Sequence, residues 1–179
     1  MSTPVDFSGF LATAEPANLG PDFRPGVLAQ AVLEDLLKPL LDASGLPSER
    51  RQLARALLLL WHDHLDAAHV IAQNVEGPDG AFIHGIMHRR EPDFGNAAYW
   101  FRRVGRHPAF AEIRSQATIL LNASSQRDLA AKLVPNGEWD PFAFIDACAR
   151  ASGSSDRSES ELRELQRIEF SALLNYLVR

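Results

Sequence analysis

Histidines that could bind a metal ion or move a proton are concentrated in one part of the chain. All six lie between residues 62 and 107, about a quarter of the 179 positions. In the first group, His62, Asp66, His69 and Gln73 follow the i, i+4, i+7 and i+11 spacing of one helix face. Imidazoles and carboxylates both serve as metal ligands and as acid–base groups. The spacing predicts a polar stripe that faces either water or a polar cavity between helices.

The second group is a pair, His84 and His88, set four residues apart. On a helix this spacing points both imidazoles the same way, as needed to place two nitrogens at about 2.0–2.1 Å from one zinc ion. The carboxylates of Asp66 and Glu91 can either bind such an ion or orient an imidazole. The expected cofactor is a divalent metal ion: zinc, iron or manganese. The candidate metal ligands are His62, His69, His84 and His88, and the candidate catalytic groups are Asp66, His69, His88 and Glu91.

Arginines surround the second group. From His84 to His107 there are five arginines against two acidic residues, a local charge of +3 in a chain of net charge −5. Guanidinium groups recognise planar anions such as carboxylates and phosphates. The segment therefore predicts a small anionic ligand or an acidic neighbour. The candidate substrate-binding residues are Arg89, Arg90, Tyr99, Arg102 and Arg103.

Three interpretations of these residues are open. In the first, the protein is an enzyme, either a metal-dependent hydrolase acting on a small anionic substrate or an acid–base catalyst without a metal. In the second, the pocket is a non-catalytic module that binds an anion or docks a partner. In the third, histidines, aspartates and arginines form a buried network that fixes the register of the helices. The sequence alone leaves open whether the protein is an enzyme.

Known catalytic motifs match only in part. A helical HD-type phosphohydrolase would use His62 and Asp63, but it also needs an upstream histidine, and residues 1–61 contain none. A zincin motif needs a glutamate directly after its first histidine, whereas His84 is followed by Gly85. A carboxylate-bridged di-iron bundle needs two Glu-x-x-His elements on separate helices, and the chain offers one variant of them. No glycine-rich phosphate loop, GxSxG or CxxC motif is present.

The histidine segment also carries a longer motif, which reads HDHLDAAH over residues 62–69 and HGIMHRREPDFGNAAYWFRRVGRHP over residues 84–108. This motif resembles that of a group of bacterial and fungal proteins with the pattern HDHLDxxH…HGIMHRREPDxxNxxYWFRRVGxHP. The resemblance covers roughly residues 61–110, just over a quarter of the chain. It implies that this segment defines the protein, and it brings no established activity with it.

Helical periodicity dominates the elements that must position these residues. No strand pattern appears, so the predicted fold class is all-α: a single-domain helical bundle over residues 26–179. An irregular, proline-rich N-terminal arm is predicted over residues 1–25, and a serine-rich loop over residues 152–160. Helices are predicted over residues 27–41 (kinked or ended by Pro39), 48–75, 81–90 and 96–104, and then from residues 108, 125, 140 and 158.

Composition narrows the classes of function. An excess of 23 acidic over 18 basic residues disfavours generic nucleic-acid binding. No apolar run, including the one at residues 57–61, approaches the roughly 18 residues that span a bilayer, so no membrane is expected as a partner. The single cysteine, Cys148, excludes an intrachain disulfide, and the N-terminus lacks a signal-peptide pattern. We therefore expect a cytoplasmic protein, whose oligomeric state does not follow from the sequence.

Overall fold

The computed structural model describes residues 5–124, 126–151 and 157–179. Within these ranges the chain is a single-domain, all-α bundle without strands, which confirms the predicted fold class. None of these helices combines the length and apolar character that crossing a membrane requires. Short 3₁₀ turns occupy Ser8–Leu11 and Pro135–Gly137. The helices are α1 (Gln30–Ala43), α2 (Ser48–Trp61), α3 (Leu65–Ala72), α4 (Pro78–Arg90), α5 (Phe94–Val104), α6 (Ala109–Ala123), α7 (Arg127–Leu133), α8 (Pro141–Ala151) and α9 (Arg157–Leu177).

The core forms around α2, α4 and α9. Trp61 of α2 meets Phe170 of α9 in edge-to-face geometry, with ring centroids 5.1 Å apart. α4 is buried from Gly80 to Arg90, so its polar side chains must find partners inside the protein. α5 packs closely on α4 because Gly85 leaves room for a ring: a Cβ at Gly85 would lie 2.6 Å from Cε2 of Phe101.

The prediction of a single long helix over residues 48–75 is wrong, because the helix is interrupted between α2 and α3. Asp63 adopts a φ of +67°, a left-handed conformation that interrupts a helix. Both carboxylate oxygens of Asp63 are paired with buried arginines, Arg24 and Arg90. These tertiary contacts hold the turn against the helical preference of the sequence. The predicted polar stripe is therefore divided at the break, and its members do not share one helix face.

α1 also differs from its predicted form. It begins at Gln30 and continues through Pro39 to Ala43, so Pro39 does not end the helix, and the kink stays a prediction. Pro39 lies on the exposed side of α1, so the carbonyl that loses its helical hydrogen bond can bond to water. Leu37 and Leu41, on the opposite side, are buried and hold the helix to the core.

The serine-rich loop predicted over residues 152–160 is partly helical. α9 begins at Arg157, so the last four residues of the predicted loop belong to its first turn. Residues 152–156 lie outside the described ranges, as does Ser125 at the predicted start of α7.

The N-terminal arm lies against the body of the bundle. Its 3₁₀ turn packs on α2 and α9, and from residue 5 onward the arm forms no α-helix before Gln30. Phe7 and Leu11 are buried in the core, whereas Phe23 is 64% exposed. Arg24 is buried as well, which requires a partner for its charge.

Candidate histidine site

Three of the predicted site residues meet at one place: His69 of α3, and His84 and His88 of α4. Their ring centroids are 5.4 Å apart for His69 and His84, 5.9 Å for His69 and His88, and 6.2 Å for His84 and His88. His84 and His88 are buried, and His69 is half-buried. Two neighbouring helices thus turn their imidazoles toward each other. We call these three residues the histidine cluster.

Hydrogen bonds place the protons on two of the rings. Nδ1 of His84 donates to the carbonyl of Gly80 at 3.1 Å, and Nδ1 of His88 lies 2.9 Å from Oε2 of Glu91. Carbonyl and carboxylate oxygens accept, so each neutral ring carries its proton on Nδ1 and keeps a lone pair on Nε2. Metal-binding histidines almost always donate their second ring nitrogen in this way. His69 has no hydrogen-bond partner among the residues that the structure describes.

α5 forms a wall of the cluster. The Trp100 indole stacks on His84, with ring centroids 4.1 Å apart and planes inclined by 12°. The side-chain nitrogen of Asn96 lies 3.2 Å from Nε2 of His88, to which it can donate. Burial lowers the pKa of His84, and the hydrogen bond to Gly80 opposes that shift only in part. The His84 imidazole is therefore neutral at neutral pH, the form that binds a metal ion or accepts a proton.

A cleft of about 320 Å³ lies beside the cluster. Asp66 and Glu91 line it, and Glu91 also contacts His88, so Glu91 connects the cleft with the cluster. Phe23 of the arm and His64, just before α3, line the cleft as well, with ring centroids 5.3 Å apart. The volume lies at the lower end of the range for ligand pockets, and it suits a small molecule.

His62, a predicted metal ligand, does not join the cluster. It precedes the break at Asp63, and its ring contacts the arm instead. Nε2 donates to the carbonyl of Phe10 at 2.9 Å, and Nδ1 accepts from the backbone N–H of Leu28 at 3.1 Å. Burial lowers the pKa of His62. Both ring nitrogens are used within the protein, so His62 has no lone pair left for a metal ion.

Arg89 and Arg90, two predicted substrate-binding residues, point into the core and are paired there. Arg89 forms an ion pair with Glu169 of α9. Nη2 of Arg90 lies 2.7 Å from Oδ1 of Asp63. Both side chains are fully buried, so neither guanidinium can reach a ligand. The excess positive charge of this segment serves partly to neutralise buried carboxylates.

The other predicted substrate-binding residues, Tyr99, Arg102 and Arg103, are exposed on α5. The Arg103 guanidinium lies 5.6 Å from the centroid of the Trp100 ring. Because that indole stacks on His84, Arg103 is separated from the cluster by one aromatic ring. The Tyr99 ring also contacts this indole, with ring centroids 5.4 Å apart, so Tyr99 and Arg103 can still meet an anion near the cluster.

Sequence reasoning missed the residues that anchor the arm. Asp63 accepts from Nε of Arg24 at 2.9 Å and from the Arg24 backbone N–H at 3.0 Å, and it also pairs with Arg90. We call Arg24, Asp63 and Arg90 the buried ion network. Its signals in the sequence are slight: the only arginine in a proline-rich arm, and an aspartate between two histidines.

In the described part of the chain, no three or more His, Cys, Asp or Glu side chains form a group that could hold a metal ion as they stand. Protein-family models, curated proteins and solved structures give no match to the chain. The chemistry of the protein must therefore be inferred from its own side chains.

Proposed function

We propose that the protein is a hydrolase whose histidine cluster binds one divalent metal ion, either zinc, iron or manganese. One observation carries the proposal: α3 and α4 bring three imidazoles within 6.2 Å of one another, while the Nδ1 protons of His84 and His88 are held by oxygen acceptors. A bound ion would lower the pKa of its water, so that hydroxide is available near neutral pH.

The separations of the rings agree with a shared ion after modest side-chain movement. Three imidazoles bonded to one tetrahedral zinc ion at about 2.1 Å would have centroids about 5 Å apart. The pair of His69 and His84 is already close to that value, at 5.4 Å. His69 can turn inward at little cost because its ring has no hydrogen bond to lose within the described ranges. His88 would exchange the contact of its Nε2 with Asn96 for the ion, while keeping its contact with Glu91.

Two carboxylates complete the proposed chemistry. Glu91 holds the His88 ring through Nδ1, which would raise the basicity of Nε2 as a ligand. Asp66 lines the adjacent cleft, three residues before His69, where its carboxylate would accept a proton from the attacking water. An anionic substrate would be repelled by these carboxylates unless the charge of a bound cation offsets theirs.

The proposed substrate is a small anion that approaches along α5. Arg102, Arg103 and Tyr99 are exposed on this helix, and Arg103 lies over the indole that covers His84. Exposed guanidiniums raise the local concentration of anions and bind carboxylate or phosphate oxygens. Arg89 and Arg90 have no part in this proposal, since their charges are neutralised inside the core.

Acid–base catalysis without a metal ion is the second candidate. It is favoured by the side chains as they stand, since no group of three ligands in the described ranges could hold an ion. The neutral His84 would accept a proton through Nε2, and burial supports that role by lowering its pKa. The two candidates share the histidine cluster and differ in their need for a metal.

Elemental analysis of untagged protein tests the metal directly. Protein is prepared with and without added zinc, iron and manganese, and we expect one of these ions in stoichiometric amount. His69→Gln and His84→Gln should lose it, whereas His64→Gln, which removes an imidazole outside the cluster, should keep it. Thermal melting of each variant separates loss of metal from loss of fold. Absence of stoichiometric metal after supplementation would overturn the metal-dependent hydrolase.

Hydrolysis assays then separate the two candidates. p-Nitrophenyl phosphate serves as an anionic probe and p-nitrophenyl acetate as a neutral one. Activity that a chelator abolishes and zinc restores supports the metal-dependent reaction. Activity that persists in the chelator and falls in His84→Gln supports acid–base catalysis. Equal rates for wild type and His84→Gln under both conditions would remove the cluster from either reaction.

A further inference from the structure

A second cleft, of about 630 Å³, lies between residues 105–114, at the start of α6, and residues 135–142, which lead into α8. We call it the α6–α8 cleft. It shares no lining residue with the histidine cluster or with the cleft beside that cluster. Its volume falls within the range of pockets that bind drug-sized molecules. Nothing in the proposed hydrolytic reaction uses it.

The walls of the α6–α8 cleft are aromatic. Phe110, Trp139 and Phe142 line it, and Phe142 is 39% exposed, although burying a phenyl ring is favourable. The indole nitrogen of Trp139 is buried and has no hydrogen-bond partner among the described residues. A buried indole N–H usually finds an acceptor, so Trp139 leaves one hydrogen bond unmade, while Phe142 leaves part of its ring uncovered.

Two guanidinium groups line the same cleft. Arg106 has no carboxylate within ion-pair distance in the described ranges. Arg114 donates only to the carbonyl of Gly137, at 3.3 Å. Two acidic residues also line the cleft, but Asp140 accepts from the first two free N–H groups of α8, at 2.9 and 3.1 Å. Glu138 is the one lining carboxylate that no such contact occupies. Neither guanidinium is paired with a carboxylate in the described ranges, so both remain available to bind an anion.

His107 also lines the α6–α8 cleft but contributes no positive charge to it. Its Nδ1 accepts from the backbone N–H of Ala109 at 3.2 Å, and its Nε2 lies 2.9 Å from Oδ1 of Asp79. A ring whose Nδ1 accepts a hydrogen bond is neutral, with its proton on Nε2. The attraction for an anion therefore comes from the two arginines.

We propose that the α6–α8 cleft binds a small aromatic carboxylic acid. The aromatic ring of this ligand packs among Phe110, Trp139 and Phe142, and its carboxylate binds the guanidiniums of Arg106 and Arg114. The planar guanidinium of arginine can donate two parallel hydrogen bonds to a carboxylate. Contacts between aromatic rings stabilise a complex beyond what the burial of apolar surface contributes. A ligand with only the aromatic ring would leave the two guanidiniums unpaired, and a ligand with only the carboxylate would leave the aromatic wall uncovered.

Isothermal titration calorimetry with 2-naphthoate tests the proposal. Its matched probes are 2-naphthalenemethanol, which keeps the ring without the charge, and acetate, which keeps the charge without the ring. We expect saturable binding of 2-naphthoate, with the alcohol weaker by about tenfold or more, as for the loss of a charge-assisted hydrogen bond. Acetate should show no saturable binding in the same range. Equal binding of the acid and the alcohol, or no saturation by the acid, would overturn the proposal.

Substitutions of the two lining arginines test whether 2-naphthoate binds in the α6–α8 cleft. Arg106→Gln and Arg114→Gln should each weaken 2-naphthoate binding by about tenfold. Both residues are exposed, so the fold should be retained, and thermal melting checks this. Arg127→Gln is the matched control, because it removes an exposed arginine of α7 that lies outside the cleft and has no part in the proposed hydrolase. An equal loss in Arg127→Gln, or unchanged affinity in both cleft variants, would overturn the assignment. The histidine variants should bind 2-naphthoate normally, which keeps this test independent of the proposed hydrolase.

Discussion

The buried ion network and the histidine cluster both include residues of α4, but they differ in how many of their polar atoms have a hydrogen-bond partner. In the network, Asp63 accepts through both carboxylate oxygens, and every side-chain nitrogen of Arg24 has a partner. In the cluster, His88 contacts Glu91 and Asn96, but His84 uses only its Nδ1, and His69 uses neither ring nitrogen within the described ranges. Saturated polar groups stabilise a fold, whereas groups with an unused lone pair remain available for chemistry.

The geometry of α4 explains how adjacent residues reach different regions. Each residue advances a helix by about 100°, so His84 and His88 lie about 40° apart around the helix axis. By the same rule, Arg89 and Arg90 lie about 100° or more away from both histidines. The two histidines therefore face α3 and α5, while the arginines face α9 and the break before α3. One buried helix thus carries a structural face and a candidate chemical face.

The largest expected effect comes from the network. Asp63→Ala should lower the free energy of unfolding by about 3–5 kcal/mol, because Arg24 and Arg90 would stay buried without their counter-charge. Urea denaturation measures the loss. Asp66→Ala is the control: this aspartate is exposed, and its removal should change stability by no more than about 0.5 kcal/mol. Equal losses in the two variants would mean that the network is not what stabilises this region.

A smaller loss is expected where α4 meets α5. Gly85→Ala would place a Cβ 2.6 Å from the Phe101 ring, and the strain should cost about 1–3 kcal/mol. Gly95→Ala is the matched change in α5, where the nearest atom would lie 3.9 Å away, so stability should be unchanged or slightly raised. Chemical denaturation of both variants compares them. A neutral Gly85→Ala would show that α4 and α5 are not in tight contact.

Local signals made most of the fold predictable from sequence. Gly105 marks the end of α5, and Pro92 separates α4 from α5. α4 itself begins at Pro78, three residues before the predicted start at residue 81, because proline is tolerated in the first turn of a helix. The spacing of His84 and His88 predicted their common direction, because it depends only on helix geometry. These predictions succeed where the cause of a structure lies within a few residues.

The break at Asp63 could not be predicted in the same way, because its cause is distant. The partners of Asp63 are 39 residues before it and 27 after it, while the local sequence keeps a helical period. The same limit applies to Arg89 and Arg90. A cluster of arginines predicts positive charge, but whether that charge meets a ligand or a buried carboxylate is decided by packing.

Acid should weaken the contact between the arm and His62, and we expect a smaller effect than from either substitution. Burial lowers the pKa of His62, so just below the ordinary value near 6.5 the unfolded chain binds a proton that the folded chain does not. The contribution of His62 is therefore complete above about pH 6.5 and is lost as the pH falls toward its folded pKa. Urea denaturation at several pH values measures this loss of stability.

His62→Gln is the control for the pH experiment and should make stability less dependent on pH. Some dependence should remain, because burial lowers the pKa of His84 in the same direction. A variant whose stability still falls with acid as steeply as that of the wild type would contradict the role given to His62.

The smallest effect on stability should come from the cluster itself. His69→Ala removes a half-buried ring that has only edge contacts with His84 and His88, so the loss should stay below about 1 kcal/mol. His62→Ala, by contrast, removes a buried ring with two hydrogen bonds to the arm and should cost about 1–3 kcal/mol. Urea denaturation of the two variants compares a free imidazole with a saturated one. If His69→Ala were as costly as His62→Ala, the three imidazoles would be holding α3 against α4, and the cluster would belong with the network as part of the fold.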